Sequence, residues 1–196
     1  MNENITYENR QIYRIDGKNC FLEINRHYDT GKGKIGLLFA QYDPEQGNRM
    51  TAKVNCFLDV PEFLYLSHII QSGIPTQYAK EATSRNQTVT LYENLGGTSA
   101  KRLATQNRTR TDNKSESRRL TIRNGSKADF YISAESGAGE ESATGLIVPA
   151  YGRNPEVRIG LPVTNKEMLK MVLTVQMEIQ AWQCAKFTKI NAKVDG

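Results

Sequence analysis

The segment from Lys101 to Lys127 concentrates the chemistry of this chain. It carries nine basic side chains against two acidic ones, Asp112 and Glu116, a net charge of +7. The whole chain of 196 residues has 26 Lys and Arg against 21 Asp and Glu, a net of +5, so everything outside the segment is net −2. A local cationic block set among Ser, Thr, Asn and Gln suits a polyanion. Single-stranded nucleic acid needs a second ingredient, rings on which bases stack, worth about 1–3 kcal/mol per base. Nine tyrosines and one tryptophan supply rings that tolerate exposure. The candidate binding residues are Tyr13, Arg14, Arg26, Tyr28, Lys32, Lys34 and Lys53 in the first half. Lys101, Arg102, Arg118, Arg119, Arg123, Tyr131 and Arg158 complete the set in the second.

Catalytic patterns are weak by comparison. His27 and His68 are the only histidines, and neither has Cys, His or carboxylate neighbours at ligand spacing. Gly31-Lys32-Gly33-Lys34-Ile35-Gly36 matches G-x-G-x-x-G, but a pyrophosphate site needs a helix directly after the glycines, and a strand pattern follows. Glu135, Glu140 and Glu141 sit in a Gly/Ser-rich stretch that reads as a solvated loop tip. No GxSxG, P-loop, HExxH or CxxC motif occurs. The expectation is a non-enzyme with no cofactor and no metal. Cys20, Cys56 and Cys184 are odd in number and far apart, as in a reducing compartment. With no apolar leader at the N-terminus and no long apolar run, the chain reads as cytoplasmic and without a membrane partner.

The elements that must position these residues follow from periodicity. Strands are expected at Ile5–Ile15, Cys20–Tyr28, Lys34–Asp43 and Met50–Val60, with an Asp16-Gly17 turn after the first. In the fourth, Val54, Cys56 and Leu58 alternate with Lys53, Asn55, Phe57 and Asp59. A helix follows, with Pro61 in its first turn and Ser72-Gly73 at its end. The second half repeats the order. Strands fall at Thr88–Glu93, Arg118–Arg123, Ala128–Ala134, Leu146–Ala150 and Val157–Val163, with a loop at Ser136–Thr144. A long helix runs from Lys166 to about Lys186, with Met168, Val172, Val175, Ile179 and Trp182 on one face.

The fold class is therefore α+β: two pseudo-repeated ββββα units, with curved antiparallel sheets and helices packed on one side. The first unit spans 5–73, a connection with one strand and a basic polar link spans 74–117, and the rest of the second unit spans 118–190. Each sheet keeps one face for helices and one for a ligand.

This element order, with basic and aromatic residues along the strands, resembles the Whirly domain. It is also similar to the related fold of the transcriptional positive cofactor four. The resemblance implies binding of single-stranded DNA across the sheets without a cofactor, and homo-oligomers formed through the helices. The Lys-Gly-Lys-Ala-Ala-like motif of the plant proteins is echoed by Lys32-Gly33-Lys34-Ile35-Gly36, which implies a binding role for Lys32 and Lys34.

The reading is a largely sequence-tolerant single-stranded DNA-binding protein, of bacterial, phage or mobile-element style, acting in replication, recombination or DNA transfer. Single-stranded RNA is an alternative, because stacking and phosphate contacts do not report the 2′-OH. The other alternative is an assembly module that uses Met168, Met171, Met177 and Trp182 as an oligomer surface, with the basic block as a flexible linker.

Overall fold

Alternating apolar side chains build the first half as four antiparallel strands in sequential order: β1 (Gln11–Asp16), β2 (Cys20–Arg26), β3 (Lys34–Asp43) and β4 (Arg49–Asp59). The structure, a computed structural model, describes residues 10–28, 33–47 and 49–194. The start of the expected first strand and the Gly31-Lys32 pair lie outside the described residues. One face of this sheet carries Leu22, Ile24, Ile35, Leu37, Phe39, Val54, Cys56 and Leu58, all buried. The chain turns after β1 where the Gly17 amide donates to the Cys20 carbonyl at 2.7 Å.

At Asp59 the period changes from two to 3.6, and α1 (Val60–Gln71) begins with a proline in its first turn. Gly73, at φ 73°, ends that run and lies immediately before α2 (Ile74–Ser84). This second helix replaces part of the connection expected from the sequence. It buries only Pro75, Ala79 and Ala82, so its apolar stripe is too slight to stand out by periodicity.

The second sheet holds β5 (Thr90–Thr98), β6 (Ser115–Asn124), β7 (Phe130–Glu141), β8 (Ile147–Pro149) and β9 (Val157–Val163). β6 lies between β5 and β7, and both β8 and β9 pair with the far edge of β7. Asn124 is buried because its side chain fastens the start of this sheet. Its Oδ1 accepts from the Val89 amide at 2.7 Å, and its Nδ2 donates to the Gln87 carbonyl at 2.8 Å. The stretch expected as a loop from Ser136 is strand as far as Glu141. Its small residues mark tight curling, not disorder. β5, β6, β7 and β8 wrap around Ile147, and a Cβ on Gly97 would lie 2.6 Å from the Ile147 Cβ.

The basic link is also structured. α3 (Ala100–Thr105) is capped by the Ser99 hydroxyl, which accepts from the Arg102 amide at 3.4 Å, and it inserts Leu103, 1% exposed. Beyond it, the Arg110 guanidinium bridges Asp112 and Glu156, and holds the Asp112 carboxyl near pKa 2 through its hydrogen bonds.

The last helix, α4 (Asn165–Val194), runs past the expected end. Thr164 and Asp129 cap it, accepting from the Glu167 amide at 3.2 Å and the Asn165 amide at 2.7 Å. Met168, Val172, Val175 and Ile179 pack into one hydrophobic cluster with α1, with Leu22, Phe39 and Leu58 of the first sheet, and with Phe130, Ile132 and Leu161 of the second. Among the described residues, no helix is long and apolar enough to cross a membrane.

Candidate nucleic-acid interface

β4 pairs only with β3, and β5 only with β6, among the described residues. Each sheet therefore ends in an edge strand with unpaired main-chain groups. The two edges flank one cleft of about 810 Å³, lined by Asn55, Cys56, Phe57 and Asp59 on β4 and by residues 94–98 on β5. α3 and the turn after it close one side through Arg102, Gln106 and Arg108.

The cleft is cationic. Arg10, Lys34, Arg102, Arg108 and Arg118 face Asp59 and Glu62, a net of +3. Three of the five cations are held by hydrogen bonds or ion pairs. Arg118 donates to Thr98 at 3.1 Å and to Glu116 at 2.7 Å, and Lys34 lies 2.6 Å from Asp59. Arg108 reaches the same Glu116 carboxylate at 3.5 Å. The Nε of Arg10 is buried and has no hydrogen-bond partner among the described residues. Glu62 accepts from the Tyr92 hydroxyl at 2.7 Å, and burial together with that carboxylate pushes the phenol well above its ordinary range.

Two rings, Phe57 and His27, line this basic space. Phe57 points away from the core and is 43% exposed. The imidazole of His27 meets it in a T-shaped contact, 5.5 Å between centroids at 74°, and both residues line the cleft. Behind it, burial pushes the Cys56 thiol up to about 12, against the opposing effect of Arg118. Among the described residues no group of His, Cys, Asp and Glu gathers as a metal site.

A second, shallower depression of about 280 Å³ lies on the outer face of the second sheet. Arg119, Arg123 and Arg158 are countered there by Glu93 and Glu135, a net of +1. Glu135 is 7% exposed, not a solvated loop residue. Arg158 donates to it at 2.7 Å and Arg119 at 3.1 Å through Nε. Burial opposes its charge, but these two guanidinium groups outweigh burial and hold the carboxyl below its usual range. The Arg123 guanidinium lies 4.7 Å over the Tyr131 ring, which also covers Gly160.

The residues expected from sequence are thus divided. Lys34, Arg102 and Arg118 meet in the cleft, and Lys101 is exposed on α3 beside it. Arg119, Arg123, Tyr131 and Arg158 share the outer depression. Lys53 is exposed on β4, and Arg14 stacks at 3.8 Å over Phe21. The fold places three residues elsewhere, against α4. Tyr28 is 3% exposed, its ring 4.8 Å from that of Trp182. Tyr13 donates to Glu167 at 2.9 Å, and Arg26 comes within 4.0 Å of Glu178. Lys32 lies outside the described residues. Sequence reasoning counted Arg10 and Arg108 among the basic residues without placing them in the site, and it missed Phe57. The available signal was Phe57 itself, an apolar ring in register with Lys53, Asn55 and Asp59 on a polar face. No family model matches the chain, no curated protein matches it in sequence, and no solved structure matches it.

Proposed function

We propose that this protein binds single-stranded nucleic acid in the cleft between β4 and β5, without catalysis. The observation that carries the reading is the exposed Phe57 ring inside a cavity whose charged lining is net +3. A phosphate backbone would run along Arg102, Arg108 and Arg118 while a base stacks on Phe57. The outer depression supports the reading less well, because Glu135 already satisfies Arg119 and Arg158, and Arg123 covers part of Tyr131. Duplex readers mostly present a recognition helix to the major groove. Here α4 buries its apolar stripe in the core, and a cleft between two strand edges suits one strand better. DNA as the ligand, a Whirly-like ancestry and a role in replication, recombination or transfer belong to the same proposal.

The test is fluorescence anisotropy with matched single-stranded DNA, duplex DNA and single-stranded RNA at two salt concentrations. The expected result is a salt-sensitive preference for the single strands, with loss of affinity in Phe57→Ala. Failure to bind any of the three at low salt overturns the proposal.

A further inference from the structure

Gly96 has no structural reason to be glycine. Interior glycines in strands usually mark a bulge, a bend, or a close approach by another backbone or a ligand. The β5–β6 ladder is regular here, with Gly96 opposite Arg118, and the only register shift lies between Thr90 and Tyr92. Gly96 is not among the glycines with positive φ. A Cβ built on it meets nothing within 4 Å, whereas one on the neighbouring Gly97 runs into Ile147 and the Glu116 carbonyl. Gly97 is thus explained by packing inside the curled sheet, and Gly96 is not. A glycine in a strand interior also forfeits backbone entropy.

Gly96 lines the cleft, on the same face of β5 as Asn94, and the cleft also holds Phe57 and Asn55 from β4. From these placements we infer that Gly96 is the base seat of the proposed nucleic-acid site, an inference that rests on that reading. A nucleobase stacks on Phe57 and extends across the cleft until its far edge or sugar lies flush against the bare Gly96 backbone. Asn55 and Asn94 border this space with amide donors and acceptors of the kind that satisfy a base edge. The subsite therefore takes a nucleobase, while the arginines at the cleft wall take phosphate.

The experiment compares wild type, Gly96→Ala and Gly96→Val by anisotropy, using fluorescein-labelled oligothymidylate and an abasic oligonucleotide of equal length. Thermal melting checks the fold, and Tm is expected to be unchanged or raised, since valine suits a strand and a Cβ at this position meets nothing within 4 Å. The valine variant is expected to lose about tenfold in affinity for oligothymidylate, the scale of one lost base stack, with alanine intermediate. On the abasic strand the three proteins are expected to bind alike. If wild type binds oligothymidylate but Gly96→Val loses nothing, or loses equally on both strands, the base seat is refuted while the nucleic-acid reading stands. If wild type binds neither strand, the underlying reading fails and this inference falls with it.

Discussion

The sharpest consequence of a nucleic-acid cleft is its salt dependence, and two exposed arginines allow it to be dissected. Arg102 lies on α3 and Arg108 just beyond it, with the Arg108 side chain 57% exposed. Replacing both by alanine leaves no buried charge unpaired, because Glu116 keeps its 2.7 Å contact with Arg118. The stability change is therefore expected to stay within about 0.5 kcal/mol for each substitution. Five cations line the cleft, and if each neutralises one phosphate the single-strand slope of log K against log salt is about −3.5, from about 0.7 per contact. A fourfold rise in salt, from about 50 to 200 mM, then weakens binding about 130-fold. The double variant retains three contacts, so its slope falls to about −2.1 and the same rise weakens it only about 18-fold. Arg102→Lys/Arg108→Lys keeps the charges and restores the slope, while Arg123→Ala, on the outer depression, leaves it unchanged. Anisotropy titrations at four or more salt concentrations measure these slopes. An unaltered slope in the double alanine variant, with a reduced one in Arg123→Ala, would refute the cleft and move the site to the outer face.

Three further outcomes test the physical account of the fold. Glu135→Gln removes the charge that holds Arg119 and Arg158, and is expected to cost about 1–3 kcal/mol at neutral pH. Because the folded carboxyl is held below its unfolded value, that stabilisation is present above the ordinary Glu range of about 4.3 and is lost as pH falls towards the folded pKa. Melting temperatures of wild type and variant should converge in acid, and a gap independent of pH would contradict this. Gly97→Ala is expected to destabilise by about 1–3 kcal/mol through overpacking against Ile147, while Gly96→Ala does not; equal denaturation midpoints would show that the curled sheet relaxes freely. In a thiol-titration time course Cys184, exposed on α4, should react fast and Cys56, buried with its thiol pushed up to about 12, should react only on unfolding. Rapid labelling of Cys56 in the native protein would rule out that burial.

Much of the architecture was legible because strands and helices announce themselves by period. The run Lys34–Asp43 matches β3 residue for residue, and the inward set Val54, Cys56 and Leu58 is buried as alternation requires. The stripe of Met168, Val172, Val175 and Ile179 forms the buried face of α4. Elements that bury little or only small side chains were not legible. α2 contributes two alanines and a proline to the interior, α3 a single leucine, and the end of β7 is built of Ser, Gly and Ala. In each case composition resembles a loop, and only the surfaces the segment meets decide its conformation.

The candidate site divides in the same way. Local sequence determined that strong positive charge is concentrated between Lys101 and Lys127, and that Phe57 faces away from its core-facing neighbours, because both depend on neighbours a few residues away. Tertiary structure alone decided which of those charges act together. Arg118 and Arg119 are adjacent in sequence, yet strand alternation sends one into the cleft beside Cys56 and the other to Glu135 on the opposite face. Tyr28 and Arg26 looked like surface residues until α4, more than 130 positions later, was placed over them. The cleft itself has no local signature, since it exists only where the free edge of one sheet meets the free edge of the other.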